Sequence, residues 1–323
     1  MRESLQRKCD QFVQNQEMLK RSVGSGDLRM RSVCAMMLLN TDLVDESMLA
    51  EAKQVLKEET GLFSNFRGFG KMACITMLAL SGHPETAMMK GKETYEILKS
   101  DFPRSEYLAL SALSLGSKVP DWQMEDVASR ARQLYKRMKK EHPFLTSSGD
   151  TGFCLLLALS DEADDVLTDR MEGFYKELKG KFPSGNGLQS LTHTMVLAGQ
   201  NASGDRVVAL YEGLRERGLK YGKSYELPML GVLAGTEEST ESLVGEITEA
   251  DRFLADQKGY GVWGLGKKSR LMHAAMLVAL DHTKESDAMD TAALSGTIAM
   301  MAAEQAAMCA IIASNAAAAS SCN

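Results

Sequence analysis

Two short glycine–lysine stretches hold the residues of this chain best suited to binding chemistry. Gly68-Phe69-Gly70-Lys71 and Gly264-Leu265-Gly266-Lys267 each open an apolar segment of helical character. Arg67 precedes the first copy. Lys268 and Arg270 follow the second, and Trp263 stands just before it. Cations in a first helical turn run against the helix dipole, which favours anions there. Unpaired backbone N–H groups, glycines and nearby cations together make an anion site. Arg67, Lys71, Lys267, Lys268, Arg270 and Trp263 are therefore the expected ligand-binding residues, for a phosphate or a carboxylate. The plainer alternative is a pair of glycine-capped turns with solvated lysines.

A second set is acidic. Glu106, Asp150 and Glu226 each stand at or just before the start of an apolar helical segment. Paired carboxylates could do the general acid–base work of glycoside hydrolysis. They could equally be helix caps and dipole partners. Phe66, Tyr107, Tyr221, Tyr225, Tyr260 and Trp263 lie in the same kind of segment. They could stack on a sugar or a peptide, or staple helix ends. This pattern assigns no catalytic residue, and whether the chain is an enzyme stays open.

Other motifs fail on context. Gly259 to Gly264 matches GxGxxG, yet the preceding DRFLADQK reads as helix and not as the strand a dinucleotide fold needs. Gly261, Gly266 and Lys267 fit the spacing of a P-loop, but Lys268 occupies the position of the magnesium-binding Ser or Thr. The five histidines, His83, His142, His193, His273 and His282, form no HExxH and no i, i+4 ligand pair. No metal and no cofactor is expected.

The elements that must position these residues come from a repeat. Short apolar segments end in a small or polar residue at Asn40, Ser81, Gly116, Ser160, Gly199, Gly235 and Asp281, at intervals of 41, 35, 44, 39, 36 and 46 residues. A period near forty points to an array of helical hairpins. Between the apolar segments lie longer amphipathic stretches, such as 165–180, where Val166, Met171, Phe174, Tyr175 and Leu178 form one stripe. The apolar segments are read as an inner layer and the amphipathic ones as an outer layer. Inner-to-outer turns are small and acidic (SDEADD, GTEESTES). Outer-to-inner turns carry aromatic, Gly, Pro and basic residues (LFSNFRGFGK, LKYGKSY, GYGVWGLGKK). The second kind gathers at the N-termini of the inner helices, an aromatic and basic rim suited to a site.

Composition agrees with a soluble helical protein. Of 323 residues, 44% are hydrophobic and 25% charged, with 21 methionines and only six prolines. A net charge of −6 disfavours nonspecific nucleic-acid binding. The run Arg130, Arg132, Lys136, Arg137, Lys139 and Lys140 reads as a solvated helix face, with a phosphate-binding stripe as the alternative. Six cysteines without a CxxC indicate reduced thiols, three of them (Cys34, Cys74, Cys154) on buried segments. The N-terminus lacks an apolar signal core, so a cytoplasmic protein is expected. Residues 292–319 are rich in Ala, Met, Ile and Ser. Glu304, Gln305 and Asn315 interrupt them, which favours a long helix packed on the array over a membrane span.

The stretches FSNFRG, TMLALS, TDRMEGFYKELK, SGN and SYELPMLGVLA, with the Ala/Met/Ser-rich tail, resemble the bacterial domain-of-unknown-function family 4003 over nearly the whole chain. The resemblance implies a single-domain cytoplasmic protein. It brings no activity, cofactor or catalytic residue.

The expected fold is all-α: repeated helical hairpins, about seven, over 1–290, with a C-terminal helix and frayed tail over 291–323. A closed αα toroid is favoured over an open superhelix, which would leave the apolar layer facing water. Two functions are carried forward. One is a scaffold or binding protein holding a peptide or small anionic ligand at the aromatic–basic rim. The other is a toroid enzyme using rim carboxylates on a carbohydrate.

Overall fold

Long stretches that are apolar on every face, alternating with stretches apolar on one, must fold as buried rods flanked by half-buried ones. The computed structural model describes residues 1–39, 44–116, 118–261 and 264–282, and among them there are fourteen α-helices and no strand. The expectations for Trp263 and for a C-terminal helix over 291–323 fall outside the described residues.

The described chain falls into two compact units. One comprises residues 14–161. Its buried helices are α2 (Leu28–Met37), α4 (Lys71–Leu80), α6 (Glu106–Gly116) and α8 (Thr151–Ala158), packed side by side in that order. Flanking them are α3 (Glu46–Glu59), α5 (Pro84–Asp101) and α7 (Asp121–Glu141), each paired with the buried helix that follows it. The other unit comprises residues 1–13 and the described residues from 162 to 282. There α10 (Asn186–Leu197), α12 (Leu227–Ala234) and α14 (Gly266–His282) form the buried row. Helices α9 (Asp164–Leu178), α11 (Gly204–Glu216) and α13 (Thr240–Ala255) form the flanking row. Helix α1 (Glu3–Ser22) contributes its residues up to Val13 to this unit and the rest to the other.

Burial divides the helices largely as periodicity required; in α9 Leu167, Met171 and Leu178 are buried, while Val166, expected on that stripe, is 46% exposed. Every residue of α8 and of α12 is buried. In α7 the buried set is Met124, Val127, Ala128, Ala131, Leu134 and Met138, one stripe at helical spacing. Helix starts use the expected side chains. Asp27 accepts from the Arg29 N–H, Asp45 from Met48, and Ser239 from Ser242. Cys9, Cys34, Cys74 and Cys154 are free and buried. No described helix is long and apolar enough to cross a membrane. His193 and His273 lie in the core. His273 Nδ1 is 2.6 Å from the Tyr260 hydroxyl, and burial pushes its pKa down to about 3, so the ring stays neutral.

One device was not legible in the pattern of apolar residues. The last carbonyls of a helix have no partner within it. Here a guanidinium from the preceding flanking helix supplies one. Arg130 of α7 donates to the carbonyls of Ala158 (3.0 Å) and Ser160 at the end of α8. Arg170 of α9 donates to Gly199 after α10 (3.2 Å), while also pairing with Glu162. Arg206 of α11 donates to Ala234 (3.0 Å), Thr236 (2.9 Å) and Glu238 (2.8 Å) at the end of α12. Each arginine places its positive charge at the negative end of a helix dipole. Arg206→Met should lower stability by about 2 kcal/mol, because three carbonyls lose a charged donor. Urea denaturation measures this, and an unchanged midpoint would refute the role.

The basic run of α7 is in part the solvated face expected, with Lys136, Arg137 and Lys140 exposed. Besides Arg130, the Arg132 guanidinium lies over the rings of Phe102 (5.9 Å) and Tyr135 (5.8 Å). Lys139 Nζ donates to the Thr146 carbonyl at 2.6 Å.

Candidate functional site

Within each unit the buried helices begin side by side, so their leading turns meet. Glu106, first residue of α6, accepts the Gly70 N–H at the head of α4 at 2.9 Å. The turn before α12 lies against the start of α10. A Cβ on Gly187 would come within 2.3 Å of the Ser224 carbonyl oxygen, so only glycine permits that approach. The Tyr225 hydroxyl reaches across to Ser269 Oγ of α14 at 2.9 Å.

Between the turns that lead into α12 and α14 lies an open cleft of about 640 Å³. Its basic lining is Lys223, Lys267 and Lys268. Tyr225, Glu226 and Ser269 line it as well. The turn before α14 closes on itself through the Leu265 N–H to the Gly259 carbonyl (2.9 Å) and the Gly264 N–H to Gly261 (2.9 Å). Helix α14 is seventeen residues long and has no acid in its first turn. Its leading N–H groups have no intrahelical partner, and Lys267 and Lys268 stand exposed beside them. Lys223 is held from behind, with its Nζ 4.8 Å from the Tyr211 ring centroid and 5.8 Å from that of Phe182.

The other expected ligand residues sit elsewhere. Arg270 faces α13, where Asp251 takes its Nε at 2.7 Å and its second donor at 3.0 Å. Arg67 and Lys71 belong to the other unit. There Arg67 donates to the Thr60 carbonyl at 3.2 Å, and Lys71 is the half-buried first residue of α4.

The three acids each receive a backbone N–H from a leading turn. Glu106 takes Gly70, as above. Asp150 takes the Ser147 N–H at 2.8 Å, closing a capping box with the Ser147 side chain. Glu226 takes the Ser224 N–H at 3.0 Å and rests against Gly222. Burial raises the Asp150 pKa to about 6, with the Ser147 N–H and the Lys139 charge working against the rise. Tyr221 donates to the Glu226 carbonyl at 2.9 Å, and burial holds its phenol well above the ordinary value.

Among the singled-out aromatics, Phe66, Tyr221 and Tyr260 are buried staples, and Phe66 packs on Tyr95 at 5.3 Å. Among the described residues of the set, Tyr225 alone lines the cleft. The fully exposed rings, Phe63 and Phe144, lie in leading turns of the other unit. Phe63 borders a smaller cavity of about 220 Å³ whose Lys99 is already paired with Glu96. Sequence reasoning missed Lys223 and Ser269 as cleft residues. The signal for Lys223 was its place in LKYGKSY, a turn read as basic without a residue being chosen.

Comparison with known proteins adds a family without an activity. The model of a family described as "Protein of unknown function (DUF4003)" matches residues 15–306. The chain is 24% identical over 294 residues to the uncharacterized protein YeaA of Bacillus subtilis (strain 168), covering 87% of this chain and 85% of that protein. No solved structure matches it.

Proposed function

From a chain that belongs to the DUF4003 family, whose description carries no activity, we propose a binding protein that holds a small anionic ligand in the cleft ahead of α14. The observation that carries this reading is the cleft itself. Three lysines line it, two of them in the first turn of a helix that has no acid there. Several leading turns are supplied with carboxylates: Glu106 at α4 and α6, Asp150 at α8, Glu226 before α12; α10, like α14, has no acid in its first turn. At α14 cations replace them, and the dipole and N–H groups there suit an anion. The paired helices form the rigid scaffold, arranged as hairpin repeats and closing as an αα toroid in preference to an open superhelix. The protein works in the cytoplasm, a reading supported by the buried cysteine thiols among the described residues.

The test is calorimetric titration with inorganic phosphate at low ionic strength. The double variant Lys267→Ala with Lys268→Ala should weaken binding by about tenfold or more, since each charge lost near a desolvated anion is worth about 1 kcal/mol. Its melting temperature should not move, because both side chains are exposed. Wild-type protein that takes up no phosphate would overturn the proposal.

One observation favours the second reading, a toroid enzyme acting on a carbohydrate. Burial raises the Asp150 pKa to about 6, the direction a general acid needs, while its carboxylate closes a capping box with Ser147. Turnover of chromogenic glycosides, lost in Asp150→Asn, would establish it. No turnover by the intact protein would remove it.

A further inference from the structure

Apolar side chains left wholly in water gain free energy wherever they can be covered. In residues 14–161 such side chains gather on the edge where the buried helices begin. The turn 60–70 exposes Leu62, Phe63 and Phe69, and the turn 142–150 exposes Phe144. Phe63 and Phe144 have no cover at all. Helices α4, α6 and α8 pack side by side, and the short helical turns Asn65–Arg67 and Ser148–Asp150 both touch α6. The two turns therefore flank the head of α6, about 20 Å apart at ordinary helix spacing.

Cations accompany the rings. Arg104 is exposed and lines the same cavity as Phe63, so a guanidinium stands beside that ring. Lys136, Arg137 and Lys140 are exposed at the end of α7, just ahead of Phe144. Lys139 ties that end to the turn through the Thr146 carbonyl at 2.6 Å. Of the acids nearby, Glu58 accepts from Gln54 and Asp101 from Ser100. Glu59 and Glu96 hold Lys92 and Lys99, and Glu141 is exposed. The opposite edge has the other sign: exposed Trp122 stands among Asp121, Glu125 and Asp126.

These features suit a surface that is anionic outside and apolar beneath. The rings are separated by the turn 102–105, which presents Pro103 and Arg104 to solvent. A fluid acyl layer takes each ring where it falls, whereas a folded partner would need two pockets at one fixed spacing. Leu62 favours lipid over nucleic acid, because an aliphatic side chain gains nothing from base stacking. A chain of net charge −6 is drawn to an anionic surface by its basic edge and repelled elsewhere, which sets its orientation.

We propose that this edge of residues 14–161 docks on an anionic lipid bilayer. Phe63 and Phe144 enter the acyl boundary, while Arg104, Arg137 and Lys140 meet lipid phosphates. The surface is independent of the cleft ahead of α14, which belongs to the other unit.

The experiment is co-sedimentation of the full chain with vesicles of phosphatidylglycerol and phosphatidylcholine in equal parts, and of phosphatidylcholine alone. The mixed vesicles should take up the protein about tenfold more strongly than the neutral ones. Phe63→Ser with Phe144→Ser should weaken uptake by about tenfold or more, the value of two rings leaving an apolar layer. Trp122→Ser, an equal apolar loss on the opposite edge, should change nothing. Arg137→Gln with Lys140→Gln should weaken uptake by the mixed vesicles about tenfold. All these side chains are exposed, so each variant should melt with the wild type. No uptake by the mixed vesicles, or uptake undiminished in the phenylalanine variant, would overturn the proposal. Tighter binding of a single-stranded oligothymidylate, weakened by the same variants, would overturn it in favour of a nucleic-acid surface.

Discussion

Asp251→Ala should destabilise the protein by about 3–5 kcal/mol, the range seen when one partner of a buried ion pair is removed. Asp251 and Arg270 are joined by two parallel hydrogen bonds of 2.7 and 3.0 Å, with side chains 6% and 15% exposed. The bonds to Asp251 raise the Arg270 pKa in the intact protein, and without them a guanidinium still stays charged, so it cannot escape the loss by neutralising. Without the carboxylate, a cation is left between α13 and α14 with little water. The double variant Asp251→Leu with Arg270→Met should recover most of the loss, because a well-packed apolar pair often replaces a buried ion pair at little cost. Guanidinium denaturation of the three variants measures this. Equal stability of Asp251→Ala and wild type would show that the pair does not hold α14 against α13.

Asp150→Asn should act in the opposite direction. The carboxyl titrates at about 6 in the folded protein against 3.8 for the free side chain. Between these values the folded state holds a proton that the unfolded state has released. Stability contributed by this group is therefore full below about pH 4 and falls as pH rises towards 6. Above that it stays at its lower level. At pH 7 the buried charge costs up to about 3 kcal/mol relative to the neutral form. Asparagine mimics that neutral form and keeps an oxygen to accept the Ser147 N–H. The variant should gain stability at pH 7, and the gain should vanish near pH 4. Comparing variant with wild type at each pH cancels the other titrating groups. A gain that does not depend on pH would exclude burial of the charge as its cause.

Much of the architecture was legible because helical periodicity reports burial directly. The stripe of α7 and the wholly apolar α8 and α12 lie where the spacing put them, and Asp27, Asp45 and Ser239 cap as their types suggest. Pairings across helices were not legible. Arg270 was expected at a ligand because it follows two lysines in sequence, yet at the third position after Lys267 it turns towards α13. The clue lay in α13 itself, where Ile247, Asp251 and Leu254 share one buried stripe. An acid on such a stripe needs a partner. Glu226 was read as a catalytic carboxylate or a helix cap, and its backbone bond has the form of a cap. That it also lines a cleft depends on how close α14 comes, which no local pattern contains. Lys223 escaped notice because an irregular turn has no period from which to predict a direction.

The arginine ties at the ends of α8, α10 and α12 divide the two edges of each unit by how freely they can vary. On the tied edge a guanidinium spans the bend into the next helix, so an added or deleted residue would pull carbonyls out of its reach. On the opposite edge several connections into the buried helices are longer, as in 60–70, 142–150 and 217–226, although 102–105 is short. Length and sequence there can drift while the rods stay in place. A protein built this way can acquire a different ligand by exchanging turns along one edge, with its frame anchored from behind.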